Sequence, residues 1–302
     1  MPEGRAMREA GTYALAVTGL LLAGLYLPFL HFLFGMALLV LTVVTARRQT
    51  AVLALIVLAA CGGVLAVVFW SPDPMIMVLE FGFLGLVPAL GFKNGAPPEF
   101  ILAATLFAAP VFVGLGLALG WFGWGLNPMD ATGVLNGPGA ETPAAREAIR
   151  LAAVLLPGSY AVWAFATGLA GFFLSQEVLR QLGLAGQRTI PFSSWRLPWY
   201  AVWGLIAALT LVLAGDYWRQ ALWRTAGQNI LFLMAFVYFT AGVSLAAHYY
   251  HRLNWARPWK LLAVALAVFY WPLTFTFLAM FGLSDSLVNL RERQPRPPQK
   301  EE

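Results

Sequence analysis

An all-α, polytopic transmembrane helix bundle of about nine spans, eight to ten, is the fold class this sequence predicts. Three observations predict it. The composition is 60% hydrophobic and 11% charged over 302 residues, where a soluble domain carries about 25% charged residues. Apolar runs long enough to cross a bilayer recur from Gly11 to Leu283, each close to the roughly 20 residues a crossing needs. The formal charge of +5 sits in short links and at the chain ends, as suits a membrane surface. No basic, aromatic-interleaved groove for nucleic acid is present.

Taken in order, the spans read as Gly11–Leu27, Phe29–Ala46, Ala51–Trp70, Met75–Phe92 and Phe100–Trp121, then one within Glu147–Leu179, then Tyr200–Gly215, Asn229–Tyr250 and Pro258–Leu283. Pro28, the pair Arg47-Arg48, the turn Ser71-Pro-Asp-Pro74 and the link GFKNGAPPE separate the first five. The first run follows a short polar N-terminus and lacks a small-x-small cleavage site, so it reads as a retained helix. Pro157-Gly158 is expected to kink the sixth span or to set apart an interfacial first part. The organisation expected is a five-helix membrane block at 11–122, an external loop at 123–146, a four-helix block at 147–283 and a polar tail at 284–302. Trp218 and Trp223 are placed at headgroup level, and Trp195, Trp199, Trp203, Trp255 and Trp259 form an interfacial belt.

Charge asymmetry orients the chain. With the N-terminus cytoplasmic, the inner links hold Arg5, Arg8, Arg47, Arg48, Lys93, Arg180, Arg188, Arg196, Arg252, Arg257 and Lys260, and the outer links hold Arg146, Arg150, Arg219 and Arg224. Nine spans then strand Arg291, Arg293, Arg296 and Lys300 outside. A hairpin at Pro272 would return them inside, but each half would be short for a roughly 30 Å hydrocarbon core.

Glu80 is the sharpest candidate for function. A carboxylate inside a span costs about 2.5–3.5 kcal/mol on insertion scales, so it normally faces protein or water. It can line a cavity that binds a cation, a proton or a cationic substrate; the competing readings are a side chain that snorkels to the span's end or bonds a neighbouring helix. His31, Asn229, Thr240 and Ser244 complete the candidate polar cavity, with packing as their competing role. His248 and His251 share a helix face, yet no further ligand lies near them in sequence, so they read as a polar rim and not as a metal site. Cys61 reads as a packing residue. Gly19-x-x-x-Ala23, with Ala16 before it, and Gly116-x-x-x-Gly120 are helix-packing candidates. GLGLALG follows no strand and is no nucleotide fingerprint. No catalytic constellation appears, so no enzyme activity, cofactor or metal is expected.

Several stretches together carry a family resemblance: LYLPFLHFLFGMALLV, FGFLGLVPALGF, PFSSWRLPWYAVW, QNILFLMAFVYFTAG and GLSDSLVNLRER. The chain resembles the YybS-like family of bacterial polytopic membrane proteins, a domain of unknown function, over roughly Ala14 to Arg293. Its N-terminal half is similar in hydropathy and length to the substrate-binding subunits of energy-coupling-factor vitamin transporters, which dock through small residues of their first helix; Ala16, Gly19 and Ala23 would match that role. The resemblance implies a bacterial inner-membrane protein whose partners are the bilayer and, as candidates, other membrane subunits. The expected function is transport-related, a small-solute-binding membrane subunit or carrier; the alternative is a non-catalytic scaffold or assembly factor for other membrane proteins.

Overall fold

The computed structural model describes residues 2–27, 30–124, 142–184, 189–252 and 256–291; the side chains of 2–7, 120–124 and 251 also lie outside the description. The described residues form helices and no strand. These are α1 (Pro2–Tyr26), α2 (His31–Arg48), α3 (Ala51–Val68), α4 (Asp73–Lys93), α5 (Pro98–Trp124), α6 (Pro143–Gln181), α7 (Val202–Tyr217), α8 (Ala221–Arg252), α9 (Arg257–Phe269) and α10 (Trp271–Val288). Among them, 9 are long and apolar enough to cross a membrane. Most of the expected loop at 123–146, the last part of the tail and Trp255 lie outside the described residues.

Two compact units divide the chain: Met1–Ala153 with Trp163–Thr189, and Val154–Val162 with Ile190–Glu302. The division differs from the expected blocks because α6 is one continuous 39-residue helix, about 58 Å long. Its Val154–Val162 stretch groups with the second unit and its later turns with the first.

In the first unit α4 is the central helix. Of its apolar window 61% is buried, against 11–44% for the other candidate spans. Large side chains seat in glycine notches around it. A Cβ on Gly35 of α2 would lie 2.5 Å from the Phe81 ring, and one on Gly82 would lie 2.9 Å from a Leu58 methyl of α3. At Gly85 the neighbour is backbone, the Leu39 carbonyl at 2.8 Å. In lipid such close packing replaces the hydrophobic drive that joins helices in water. α4 is also irregular. Pro72 and Pro74 start it, Val78–Phe83 form a π turn, and Pro88 lies within its last part. Turns of the π type widen a helix locally and recur at functional sites.

The packing candidates are placed unevenly. Gly116 is buried against Ile76 and Glu80, but nothing lies within 4 Å of a Cβ on Gly19. The close approach on α1 falls instead at Gly24, which faces Met77 Sδ. Cys61 lies on α3 within reach of Thr18 and the Ala14 carbonyl, as a packing residue would.

The second unit is built on α8. α7 runs antiparallel to its first half: Gly204 meets Met234, Gly227 meets Ala208 and Val212, and Gly215 meets Arg224. Arg219, at φ 54°, makes the tight turn between them. α10 runs parallel to the second half of α8. Phe239 stacks on Phe275 at 4.7 Å, Gly242 abuts Leu278, Gly282 abuts Tyr238, and Tyr249 donates to the Leu290 carbonyl at 3.2 Å.

This parallel pairing corrects the expected single span Pro258–Leu283. The chain breaks at Tyr270, and Pro272 sits in the first turn of α10. From Arg252 to the level of Phe236 the chain must return about 25 Å, and the 13 residues of α9 supply about 20 Å of it. The end of α10 therefore lies at the same end of the unit as the end of α8. The polar tail also begins later than 284, since α10 continues to Val288.

Two outcomes follow. Reporters inserted after Arg252 and after Arg291 will label from the same side of the membrane. Gly282→Ala drives a Cβ into the Tyr238 carbonyl and should cost about 1–3 kcal/mol, seen as a lowered midpoint in tryptophan-monitored thermal unfolding, while Gly19→Ala leaves the midpoint unchanged.

Candidate functional site

Glu80 lies seven residues into α4, about 10 Å from its start, within the π turn. Its side chain is 7% exposed, so it turns into the protein and does not reach for the span's end. Trp163 Nε1 of α6 donates to Glu80 Oε2 at 3.3 Å, and the carboxylate backs onto Gly116 of α5. Among the described residues no cationic side chain lies within ion-pairing distance. A ring cluster flanks it: Phe32 meets Trp163 at 5.1 Å, and Phe81 meets Phe32 at 6.2 Å and Trp163 at 6.3 Å, all edge to face. His31 joins through Phe81 at 5.7 Å. Four helices, α2, α4, α5 and α6, meet here because Gly35 and Gly116 remove the side chains that would hold α2 and α5 away. The arrangement is one buried negative charge with a single N–H donor and several aromatic rings, suited to a small cation or a proton.

The other three cavity candidates lie in the second unit and serve its backbone. Asn229 is inserted into the ladder of α6. Its Oδ1 accepts from Gly158 N at 2.5 Å and its Nδ2 donates to Val154 O at 2.9 Å, the two groups that an undisturbed helix would bond to each other. The same Nδ2 lies 2.8 Å from Thr225 O. α6 runs unbroken through Pro157-Gly158, so no separate interfacial first part is set apart there. Thr240 donates to Val237 O within α8.

Ser244 belongs to a buried polar node. Its Oγ lies 2.7 Å from Phe192 O and 2.6 Å from Trp195 O. Arg291 Nη2 donates to it at 3.2 Å and to Trp195 O at 3.1 Å, while Nη1 donates to Ser193 O at 2.7 Å. Arg291 Nε pairs with Asp285 Oδ2 at 3.1 Å, with side chains 10% and 2% exposed. Asp285 Oδ1 also accepts from Leu290 N. The node ties the segment before α7 to the ends of α8 and α10. It also corrects Trp195, which is 9% exposed against 62% for Trp199 and 60% for Trp203: its carbonyl is an acceptor for the node and its ring stacks on Phe192, so it is no part of an interfacial belt. Neither Asp285 nor Trp163 stands out in sequence; the one signal was a carboxylate and an arginine six apart in GLSDSLVNLRER.

His248 meets Tyr249 edge to face at 5.6 Å. Among the described residues no three His, Cys, Asp or Glu side chains are grouped to hold a metal ion.

Residues 139–286, a little under half of the chain, match the model of a family described as "Predicted membrane protein (DUF2232)". The matched stretch contains Trp163 and Asp285 and does not reach α4. Neither the curated proteins nor the solved structures give a match.

Arg291→Ala removes one partner of a buried pair and should cost about 3–5 kcal/mol, where Asp285→Leu with Arg291→Met should cost less because no charge is left bare. Thermal unfolding of the two proteins in detergent checks the order.

Proposed function

We propose that this chain is a multi-pass membrane carrier or solute-binding subunit, and that Glu80 is its binding carboxylate for a small cation. The single observation that carries this reading is a carboxylate buried within a span, on a π turn, with one neutral donor and no countercharge among the described residues. A permanently buried bare charge is costly, and an exchangeable cation removes that cost when bound. The edge-to-face cluster of Phe32, Phe81 and Trp163 beside it is apolar surface that keeps the carboxylate out of water. The similarity of the N-terminal half to vitamin-transporter subunits points the same way. The lysine and arginine asymmetry favours a cytoplasmic N-terminus in a bacterial inner membrane.

A thermal-shift panel of sodium, potassium, ammonium and choline tests the reading. A cation at a hundred times its Kd adds about 2.7 kcal/mol to stability, a shift of about 5–10 °C for a chain of this size. The shift is expected in the wild type and absent in Glu80→Gln. A wild-type protein that no cation stabilises, and that Glu80→Gln matches in midpoint, overturns it. Native mass spectrometry of the same sample separates the alternative, since a scaffold retains a large stable protein partner in place of a small ligand.

A further inference from the structure

Several hydroxyls within the spans of this chain share one habit. Thr42, Thr105, Thr210, Thr276 and Ser284 each donate to the carbonyl four residues earlier, at 2.7–3.0 Å. That is how a helix in lipid satisfies an alcohol without help. Thr167 and Ser175 of α6 do not. Both are 0% exposed, and neither Oγ has a hydrogen-bond partner. A bare buried hydroxyl leaves its lost hydration uncompensated, a cost that water removes where water can reach.

The two hydroxyls stand in register on one buried stripe. Thr167 is one turn from Trp163, the donor to Glu80. Ser175 lies eight residues, about 12 Å, further on. Gly168 and Gly171 thin the stripe between them. One turn beyond Ser175 the stripe continues through Leu179, 0% exposed, and the helix reaches solvent on its other face at the exposed Glu177–Arg180 pair, 2.6 Å apart. We infer that Thr167 and Ser175 line a water-filled route along α6 that gives solvent access to Glu80 from the Arg180 end. Leu39 of α2 closes it in this conformation. Its side chain seats on Gly171 so tightly that a Cβ there would lie 2.6 Å from Leu39 Cδ1. At Gly168 the stripe is also closed by α5, where a Cβ would lie 3.1 Å from Ala109 Cβ and 3.3 Å from the Thr105 carbonyl, so opening takes a Leu39 rotamer change together with a small shift of α5. The inference rests on reading Glu80 as a binding group, since an aqueous route needs a destination.

Cysteine accessibility tests it without a known solute. In a Cys61→Ala background, Thr167→Cys and Ser175→Cys are treated in native membranes with a small, positively charged methanethiosulfonate. Ala164→Cys and Leu169→Cys, equally buried on α6 but apolar, serve as controls. Modification of Ser175→Cys at least tenfold faster than both controls, from the side that bears Arg180, is the expected result. Protection of both cysteines to the control level overturns the route. If a cysteine variant fails to accumulate, hydroxyl-radical footprinting of the wild type reads the same property. Oxidation at the buried Leu39 and Phe172 is expected, and its absence overturns the route. The two readings fail separately: protected cysteines beside a cation shift that depends on Glu80 sink only the route, and reactive cysteines beside a Glu80→Gln protein that behaves as wild type sink only the binding role.

Discussion

A hydrocarbon interior offers a peptide N–H, a carbonyl or a hydroxyl no partner except protein. Most of what is specific in this structure follows from that constraint. Within regular helix the backbone satisfies itself, so the apolar runs need nothing beyond length. Wherever the chain departs from regular helix, some other group must meet the exposed polar atoms. Asn229 bonds Gly158 N and Val154 O beside Pro157. Ser244 and Arg291 meet the carbonyls of the non-helical stretch Phe192–Trp195. The charge on Arg291 is in turn met by Asp285. Ser244, Arg291 and Asp285 thus answer a particular gap in the backbone ladder. Glu80 answers none: its one hydrogen bond is to the Trp163 side chain.

The same constraint explains why glycine does so much of the packing. Between helices in lipid there is little hydrophobic gain from association, and contact must be close to be worth anything. Phe81 against Gly35, Leu58 against Gly82 and Leu39 against Gly171 are the same device on different helix pairs. The notches around α4 bring an aromatic cluster and a carboxylate to one place, so the architecture of the first unit and its chemistry have a common cause.

What could be read from the sequence was whatever depends on one segment alone. Span length, span number and the presence of a carboxylate in the fourth span are properties of local composition. What depends on two segments was hidden. Gly19 and Gly116 carry the same motif, yet only Gly116 has a neighbour. Trp163 and Trp195 look like any other tryptophan near a span end, and their roles exist only through Glu80 and Arg291. The break at Tyr270 was visible as Pro272, but its direction was not, because hydropathy is blind to whether two helices run parallel. Asn229 was recognisable as polar and placed in a cavity, when its partner is the backbone of a distant helix.

Asn229 has a consequence that reaches beyond support. Gly158 N and Val154 O can each be satisfied in two ways, by the carboxamide of another helix or by one another. A helix with such an exchangeable rung can bend when the carboxamide enters and straighten when it leaves, and in neither form is a polar atom of the rung left bare. Proline kinks hold a single bend because the missing N–H cannot be restored. Here the donor is present, and in this structure the Asn229 carboxamide holds it.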